Sequence, residues 1–319
     1  MSWPATGALV APPSGLGGFG LRAMPMVFVL IWSTGFVVAR YGMPHAPPLG
    51  FLAVRFALSA LALLLWALLA RAAWPRGRNQ WLHLAATGVL MHAGYLGGVW
   101  AAVKLGLGAG LVALVVGLQP VLTALWLSSR GQRPTARQWL GLALGLAGLV
   151  MVVWHKLHVG EVPPLALWLA LLGLFSITAG TLYQKRWVTA CDVRSASAVQ
   201  LAAALAVTLP LACFENGPFD LHPQLIAAMA WSVLVLTLGG SSLLYLLIQR
   251  GAATAVSSLM YLVPPCTAVL AWWLFDETIN APVLLGLALT ALGVGLVLRV
   301  PVRVPVRVPV RVPLRVPLK

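Results

Sequence analysis

Ten stretches of the chain are apolar over roughly twenty residues, and this feature constrains the fold more than any other. The runs Phe56–Ala70 and Leu140–Trp154, for example, contain no charged residue. A helix of about 20 residues, rising 1.5 Å per residue, spans the hydrocarbon core of a bilayer, which is about 30 Å thick. Backbone polar groups in lipid must be satisfied within the spanning structure, and helices do this. The chain is therefore predicted to be an all-α polytopic membrane protein.

Hydropathy, together with the Gly, Pro and charged residues between the runs, places ten transmembrane helices to within a few residues. The predicted spans are 23–42, 49–70, 82–104, 107–128, 138–154, 164–184, 195–214, 224–248, 252–275 and 282–299. The residues before the first span lack a charged region followed by an apolar core, so they indicate a flexible arm, not a signal peptide.

The basic residues are distributed unevenly among the predicted loops. With the N-terminus in the cytoplasm, seventeen of the 21 Lys and Arg residues fall on the cytoplasmic side, three fall outside, and Arg55 lies within a span. Five of the six acidic residues fall outside. An excess of Lys and Arg marks cytoplasmic loops, and a wrong number of spans would scramble it. We therefore expect ten spans with both termini in the cytoplasm.

The two halves of the apolar region match each other at a constant offset of 145 residues. The matched pairs include Gly35 with Gly180, Gly94 with Gly239, Pro120 with Pro265, and Gly148 with Gly293. Each half holds five helices, so the second copy must cross the membrane in the opposite sense. Inverted repeats of this kind are common in secondary transporters. The expected fold is two inverted five-helix repeats that rock about a midplane cavity, giving a small-molecule substrate alternating access to each side.

Five segments follow from these observations. They are a flexible cytoplasmic arm at 1–22, a first repeat at 23–154, a periplasmic linker at 155–163, a second repeat at 164–299, and a basic tail at 300–319. The tail has a proline at every fourth position, which favours an extended conformation over a helix. A disordered cytoplasmic tail and a contact with anionic lipid head groups are both compatible with this pattern.

Two segments at corresponding positions, Gly106–Trp126 and Gly251–Glu277, are similar to the two copies of the EamA domain of the drug/metabolite transporter superfamily. Other family-like residues, each in its place in the helix order, are Arg55, Pro120, Pro265 and Glu277. The resemblance implies a ten-helix exporter of amino acids and other small metabolites in the bacterial inner membrane. It also implies a central cavity lined by helices one, three, four, six, eight and nine. The chain departs from the family at Gln132, where the first half often carries a Glu.

Helix three is the first candidate for substrate binding. His92 and Tyr95 lie near the middle of its span and share one face at 100° per residue, while Gly94, Gly97 and Gly98 share another. Polar groups near the midplane are costly and usually face a cavity or a partner. Small residues allow close helix packing in lipid. We therefore favour His92 and Tyr95 as cavity residues, the alternative being a histidine bonded between packed helices.

Helices four and nine are predicted to be broken at matching positions. Pro120 leaves the carbonyl of Val116 without its helical donor, next to Gln119, and Pro264 and Pro265 act in the same way in helix nine. Broken helices at corresponding positions point to a binding site in transporters, and a purely structural kink is the alternative. The substrate contacts expected on these two helices are Gln119, Ser257 and Tyr261.

Further candidate contacts are an indole, two hydroxyls and a phenol on helices one, six and eight. They are Trp32, Ser33, Thr178 and Tyr245. Helix hydroxyls often bond the preceding backbone turn, which is the alternative for the serine and the threonine. Arg55 has three possible roles: extension to the outer interface, contact with a substrate carboxylate, or a structural or gating function.

All six Asp and Glu residues lie in loops or at helix ends, whereas ion-coupled carriers commonly hold a carboxylate within the membrane. Transport driven by the substrate gradient is therefore slightly favoured, and His92 is the titratable candidate if a proton is coupled. Efflux of drugs or toxic compounds by the same fold is the nearest alternative function. A non-transporting accessory protein is a more distant one.

An enzyme and a nucleic-acid-binding protein are both disfavoured. The sequence has no HExxH or GxSxG motif, and its three cysteines show no metal or disulfide spacing, so no catalytic residue, metal or cofactor is expected. The net charge of +15 is spread between the spans and the tail, which does not form a nucleic-acid surface. The expected partners are a small-molecule substrate and the lipid bilayer, and the oligomeric state is left open.

Overall fold

The computed structural model describes residues 18–131, 135–158, 162–243 and 262–298, in which helices are joined by short loops and no strand occurs. The helices are α1 (Gly18–Gly42), α2 (Pro48–Leu69), α3 (Arg78–Lys104), α4 (Ala109–Ser129), α5 (Ala136–His158), α6 (Pro164–Trp187), α7 (Val193–Ala212), α8 (Pro223–Leu243), α9 (Val263–Phe275) and α10 (Ala281–Leu298). Of these described helices, α1 to α8 are long and apolar enough to cross a membrane, and α9 and α10 are shorter apolar helices.

Each predicted span overlaps one of these helices, so the all-helical membrane fold is confirmed. Three ends lie more than three residues beyond the prediction: α1 begins at Gly18, five residues early, α3 begins at Arg78, four residues early, and α5 continues to His158, four residues late. Hydropathy detects the residues that lie in hydrocarbon, whereas a helix can continue by a turn into the interfacial layer. These three helices therefore extend beyond the residues that hydropathy detects.

Helix α4 is interrupted where the sequence predicted a break. Its two parts, Ala109–Val116 and Gln119–Ser129, are joined by Gly117 and Leu118, whose ψ angles are −14° and −1°. The amide of Leu118 bonds the carbonyl of Val115, three residues back, at 3.1 Å. Pro120, which has no N–H, lies in the first turn of the second part. The missing donor thus produces a local tightening of the chain in the middle of α4.

Two other helices contain π-helical segments that the sequence did not predict. In α3 the segment is Val89–Gly94, and in α8 it is Trp231–Gly239. Both segments end at the glycine pair related by the 145-residue offset. A π turn holds more residues per turn than an α turn, so side chains beyond it rotate about the helix axis. Face assignments made at 100° per residue therefore shift within α3.

Helices α5 and α10 pack antiparallel along their glycines. A methyl group on Gly148 would lie 2.5 Å from the carbonyl oxygen of Gly286, and one on Gly293 would lie 2.4 Å from that of Gly141. The hydroxyl of Thr290 is buried between the two backbones. Small residues allow this approach, which supplies van der Waals contact in a solvent as apolar as the side chains.

Helices α4 and α9 also pack against each other in antiparallel orientation. A methyl group on Gly117 would lie 2.9 Å from Cγ of Pro264, and one on Gly110 would lie 3.2 Å from Cα of Ala268. The break in α4 therefore lies against the proline pair that begins α9. Two interruptions that are distant in sequence are adjacent in the fold.

Helix α3 packs between α6 and α7. A methyl group on Gly98 would lie 2.5 Å from the carbonyl oxygen of Leu169 in α6, and one on Gly88 would lie 2.1 Å from that of Gln200 in α7. The predicted packing role of the helix-three glycines is confirmed at Gly94 and Gly98. The contacts at Gly88 and Gly98 fix the rotation of α3 and hence the direction of its polar side chains.

Candidate functional site

A cluster of polar side chains lies in the apolar interior where α2, α3 and α7 meet. It consists of Arg55, His92, Tyr95 and Gln200, and we refer to it as the Arg55 cluster. The charge of Arg55 interacts electrostatically with both His92 and Tyr95, and the side chain of Gln200 lies beside His92. His92 lies about 21 Å from the start of α3 and about 18 Å from its end by the helical rise. The cluster is therefore close to the middle of the membrane helices.

Arg55 is the charged member of this cluster. Its side chain is 8% exposed, and its guanidinium carbon lies 5.8 Å from the ring centroid of Trp100. That indole is itself fully buried and stacks on Phe51 at 4.4 Å. A charged Arg at the centre of a membrane helix costs about 2.5–3.5 kcal/mol on insertion scales. One cation–π contact returns only part of that cost, about 1–2 kcal/mol.

Arg55 has no carboxylate to balance it. None of the described residues forms an ion pair or a hydrogen bond with it. The described acidic residues are at or beyond helix ends, and Glu161 lies in the segment between α5 and α6. A buried charge without a partner is strongly unfavourable unless something else supplies the opposite charge. The site is thus electrostatically incomplete.

His92 connects the cluster to two other helices. It lies within the π segment of α3, its ring centroid is 6.1 Å from that of Phe56 in an edge-on arrangement, and it reaches Gln200 on α7. The side chain is half-buried. Tyr95, one turn later, is 8% exposed. The two residues predicted for one site are thus brought together, with Arg55 and Gln200 beside them.

Gln119 lies at the break in α4 and bonds across to α6. Its Nε2 donates to Oγ1 of Thr181 at 2.9 Å, and that hydroxyl donates to the carbonyl of Ile177. Thr178 was predicted as the contact on α6, but its hydroxyl bonds Leu174 of its own helix at 2.7 Å and is buried. The helical alternative thus describes Thr178, and Thr181 is the residue that faces the broken helix.

Ser33 and Trp32 lie on α1, away from the Arg55 cluster. Ser33 is fully buried, and its hydroxyl donates to the carbonyl of Val29 at 2.8 Å. The hydroxyl of Thr267 on α9 donates to the carbonyl of Ser33 at 3.3 Å. Trp32 is half-buried and packs on Phe28, with centroids 5.3 Å apart. Ser33 therefore ties α1 to the first turns of α9.

The remaining predicted residues fall at the start of α9 or outside the described chain. Pro264 is buried and Pro265 half-buried in the first turn of α9, opposite Gly117. Tyr245, Ser257, Tyr261 and Gln132 lie outside the described residues.

At one end of the bundle, which we call the His83 end, polar groups join α3 to α6 and to the segment after it. Nδ1 of His83 is 2.8 Å from the hydroxyl of Tyr183, and its ring stacks on Trp187 at 5.5 Å. Gln80 donates to the carbonyl of Thr189 at 2.9 Å and accepts from its amide at 3.2 Å. These bonds connect residues from the two repeats, and the sequence analysis did not identify them.

The charged groups at the His83 end have shifted pKa values. The Arg194 guanidinium donates to Asp192 and lowers the pKa of that carboxyl, which also caps α7 by accepting from the backbone amide of Arg194 at 2.9 Å. Burial raises the pKa of the neighbouring Cys191 thiol. Asp192 therefore stays ionised at neutral pH, and Cys191 stays a thiol, which suits packing better than reactivity.

At the opposite end, which we call the Glu277 end, two carboxylates cap helices of the other repeat. Glu277 accepts from the backbone amide of Ala109 at the start of α4, at 2.8 Å. Glu215 accepts from the amide of Leu49 at the start of α2, also at 2.8 Å. The first amides of a helix lack helical partners and attract anions. Each carboxylate therefore joins two helices that are distant in sequence.

Histidines add to the contacts at the Glu277 end. The rings of His45 and His222 stack with centroids 4.1 Å apart, and Nε2 of His45 is 3.0 Å from Oε1 of Gln224. Nε2 of His155 is 2.7 Å from the amide nitrogen of Asn280. Like the carboxylate caps, these pairs connect parts of the chain that are distant in sequence.

Two cavities lie near the Glu277 end and not at the Arg55 cluster. The smaller, of about 20 Å³, is bordered by Glu277 and Lys156, and the larger is an open groove between α5 and α10. A space of 20 Å³ holds a single water molecule. Neither cavity is bordered by Arg55, His92 or Tyr95.

Gln200 and Thr181 are the members of the site that sequence reasoning missed. Gln200 is a single amide within an apolar helix and is 9% exposed, and this isolation was the available signal. Thr181 stands one turn from Thr178, so the choice between the two depended on the rotation of α6. That rotation is set by contacts between helices and not by the sequence of α6 alone.

Comparison with known proteins divides the chain into two similar halves, as the sequence analysis does. A model of the EamA-like transporter family matches residues 22–154 and again residues 164–299. The uncharacterized inner membrane transporter YedA of Escherichia coli is 29% identical over 244 residues, covering 76% of this chain and 78% of that protein. A probable amino-acid metabolite efflux pump of Salmonella typhimurium is 25% identical over 281 residues, covering 85% and 92%.

Two proteins of lower sequence identity match a similar share of this chain. An uncharacterized transporter of Archaeoglobus fulgidus is 23% identical over 279 residues, covering 83% of this chain and 93% of that protein. One solved crystal structure superposes with a TM-score of 0.58 at 16% identity, covering 86% of this chain and 95% of that one. At this identity the similarity concerns the fold alone.

Proposed function

The chain belongs to the EamA-like transporter family, and on that premise we propose that it is a secondary transporter that exports small amphipathic metabolites from a bacterial cell. Amino acids and related compounds are the proposed class. One relative that matches most of this chain is named a probable amino-acid metabolite efflux pump, which supports export and this class of substrate. The observation that carries the proposal is the Arg55 cluster, a group of polar side chains in the middle of an apolar helix bundle.

The proposed architecture is two inverted repeats, at residues 23–154 and 164–299. Helices α4 and α9, and likewise α5 and α10, are counterparts in the two halves, and each pair packs antiparallel. Pairing of counterparts in opposite directions is what a two-fold axis in the membrane plane produces. With both termini in the cytoplasm, the Glu277 end faces the periplasm and the His83 end faces the cytoplasm.

In this arrangement, transport requires the two ends to open in turn. The bonds at the Glu277 end and those at the His83 end each connect one repeat to the other. Rocking of the repeats about the Arg55 cluster would separate one set while the other remains closed. Alternating access therefore needs no unfolding of a helix, only the exchange of these contacts.

Transport is proposed to follow the substrate gradient, either as facilitated export or as exchange. Among the described residues no Asp or Glu lies in a helix interior, where ion-coupled carriers commonly hold one. Since an imidazole titrates near neutral pH, His92 is the group that would carry a coupled proton. A pH gradient across reconstituted vesicles distinguishes the two cases: His92→Gln removes acceleration by the gradient only if the proton is coupled.

The site assignment is tested by export from proteoliposomes that contain the purified protein. His92→Ala and Tyr95→Phe are expected to reduce counterflow of the transported amino acid about tenfold or more, since each removes a polar contact at a desolvated site. The matched controls are His158→Ala and Tyr41→Phe, which change the same residue types outside the cluster. Wild-type counterflow in well-folded His92 and Tyr95 variants would show that substrate binds elsewhere.

A further inference from the structure

We propose that the Arg55 cluster selects organic anions, and that its preferred substrates are small monocarboxylates with an apolar body. This inference rests on the proposed function and narrows its substrate class. Anion selection depends on the charge balance of the Arg55 cluster. The proposal that the protein is a transporter does not depend on that balance.

The first step is the isolation of the positive charge. Arg55 is buried in α2 and is balanced by no ion pair or hydrogen bond among the described residues. Of the undescribed stretches, 244–261 contains no Asp or Glu, and the one acidic residue in the others is Glu161, in the sequence between α5 and α6. A ligand carboxylate would provide the missing charge, and a guanidinium binds a carboxylate through two parallel hydrogen bonds.

The second step is the chemistry of the groups around Arg55. Tyr95 brings a phenol, Gln200 an amide and His92 an imidazole, so each can donate a hydrogen bond. None of them carries a negative charge at neutral pH. The surroundings therefore suit an anionic head group and offer no counter-ion for a cationic one.

The third step concerns the remainder of the ligand. Phe56 is fully buried and lies edge-on to His92, and Trp100 lies under the guanidinium. These rings provide apolar contact for a hydrocarbon or aromatic body beside the head group. The site thus combines one cation with aromatic walls, which fits a compact amphipathic anion.

The same charge balance ranks the possible head groups. A carboxylate is favoured. A zwitterion gains the same contact but brings an ammonium group close to Arg55, with only neutral oxygens to receive it. A neutral amide gains hydrogen bonds without charge compensation, and an amine is repelled. Monocarboxylates are therefore expected to bind better than the corresponding amino acids, and lipophilic cations worst.

The test is binding of four ligands that share a phenyl body and differ in the head group. They are 3-phenylpropionate, phenylalanine, 3-phenylpropanamide and 2-phenylethylamine. Dissociation constants are measured by titration calorimetry at pH 7.5 on the purified full-length protein, so membrane permeation of the ligands plays no part. We expect 3-phenylpropionate to bind about tenfold or more tightly than the amide, with phenylalanine between them and the amine weakest.

Two variants locate the effect. Arg55→Met keeps the length of the apolar stem and removes the charge, so the preference for 3-phenylpropionate over the amide should disappear. Its melting temperature without ligand should equal or exceed that of the wild type, because an unbalanced buried charge has been removed. Arg55→Lys should keep the order of the four ligands with weaker binding. The matched control is Arg40→Met, since Arg40 also lies over an aromatic ring, Phe275, but outside the cluster.

The outcomes separate this inference from the proposed function. Equal binding of the carboxylate and the amide by the wild type, or an unchanged carboxylate preference in Arg55→Met, overturns anion selection. If Arg55→Met does not fold, the head-group order in the wild type decides alone. If vesicles transport the amine or the amide, the protein is a transporter but does not select anions. Binding of 3-phenylpropionate through Arg55 without any export would instead overturn the transport proposal.

Discussion

Helices α3 and α8 are counterparts in the two repeats, and they differ more in chemistry than in backbone. Both contain a π segment that ends at a matched glycine, Gly94 in α3 and Gly239 in α8. Where α3 carries His92 and Tyr95, the matched residues of α8 are Thr237 and Gly240. The comparison shows that the backbone irregularity is common to both halves, whereas the ring-bearing side chains belong to one. Substrate selection is therefore expected to be asymmetric although the fold is built from two similar halves.

The largest expected effect comes from the packing of α3, which is closer than that of α8. A methyl group on Gly88 would lie 2.1 Å from a backbone oxygen of α7, while one on Gly239 would lie no closer than 3.4 Å to any described neighbour. Gly88→Ala should therefore destabilise the protein by about 3 kcal/mol or more, and Gly239→Ala should change stability little. Melting temperatures of the two purified variants test this, and similar values would show that α3 is no more tightly held than its counterpart.

An exchange of matched residues tests the chemical asymmetry. His92→Thr gives α3 the residue of α8, and Thr237→His does the reverse. We expect the first to reduce counterflow about tenfold or more while the melting temperature changes little, since a half-buried hydrogen-bonding ring is lost from the site. The double variant should not recover activity, because Thr237 bonds Ser59, one turn along α2 from Arg55, and so a ring at 237 would not replace the one lost from α3. Recovery in the double variant would mean that the two helices are functionally equivalent.

The beginning of α3 is held by a side chain that α8 lacks. Gln80 makes two hydrogen bonds with the backbone of Thr189, and the matched residue of α8 is Leu225. Gln80→Ala should cost about 1 kcal/mol, since the two hydrogen bonds that the buried Gln80 side chain makes with Thr189 are lost. Gln224→Ala, at the more exposed start of α8, serves as the control and should have a smaller effect. Thermal unfolding measures both, and equal losses would contradict the difference between the two ends.

The smallest expected difference concerns a matched pair of buried hydroxyls. Thr87 donates to the carbonyl of His83 at 2.8 Å, whereas its counterpart Ser232 has no hydrogen-bond partner among the described residues. Thr87→Val should destabilise the protein by about 1 kcal/mol, and Ser232→Ala should leave stability unchanged or raise it by a similar amount. Differential scanning calorimetry resolves these signs. A loss in Ser232→Ala would indicate that this hydroxyl is bonded after all.

The membrane fold could be predicted because its main determinant is local. Every apolar run overlaps a helix in the described part of the chain, and Pro120 produced a break in α4 at the expected place, since a missing N–H acts on its own turn. The residues brought together by packing were harder to predict. Gln200 lies more than one hundred residues from His92 in the chain, and no periodicity within α3 or α7 indicates that they meet.

In the candidate site as well, properties of a single helix could be predicted, whereas contacts between helices could not. His92 and Tyr95 were found from their depth in a span, which is a property of one helix. Thr178 and Thr181 are both hydroxyls on α6, and only the contact of Thr181 with Gln119 distinguishes them. The π segment of α3 had no signal in hydropathy, although it sets the direction of His92.

The two π segments also bear on the history of the chain. A π turn accommodates an additional residue, and an insertion in one half only would change the offset between the halves at that point. The offset is 145 before the segments, at Gly35 and Gly180, and still 145 after them, at Pro120 and Pro265. If the halves arose by gene duplication, the ancestral half already carried this turn. The irregular backbone is then an inheritance shared by both halves, and the histidine within it a later specialisation of one.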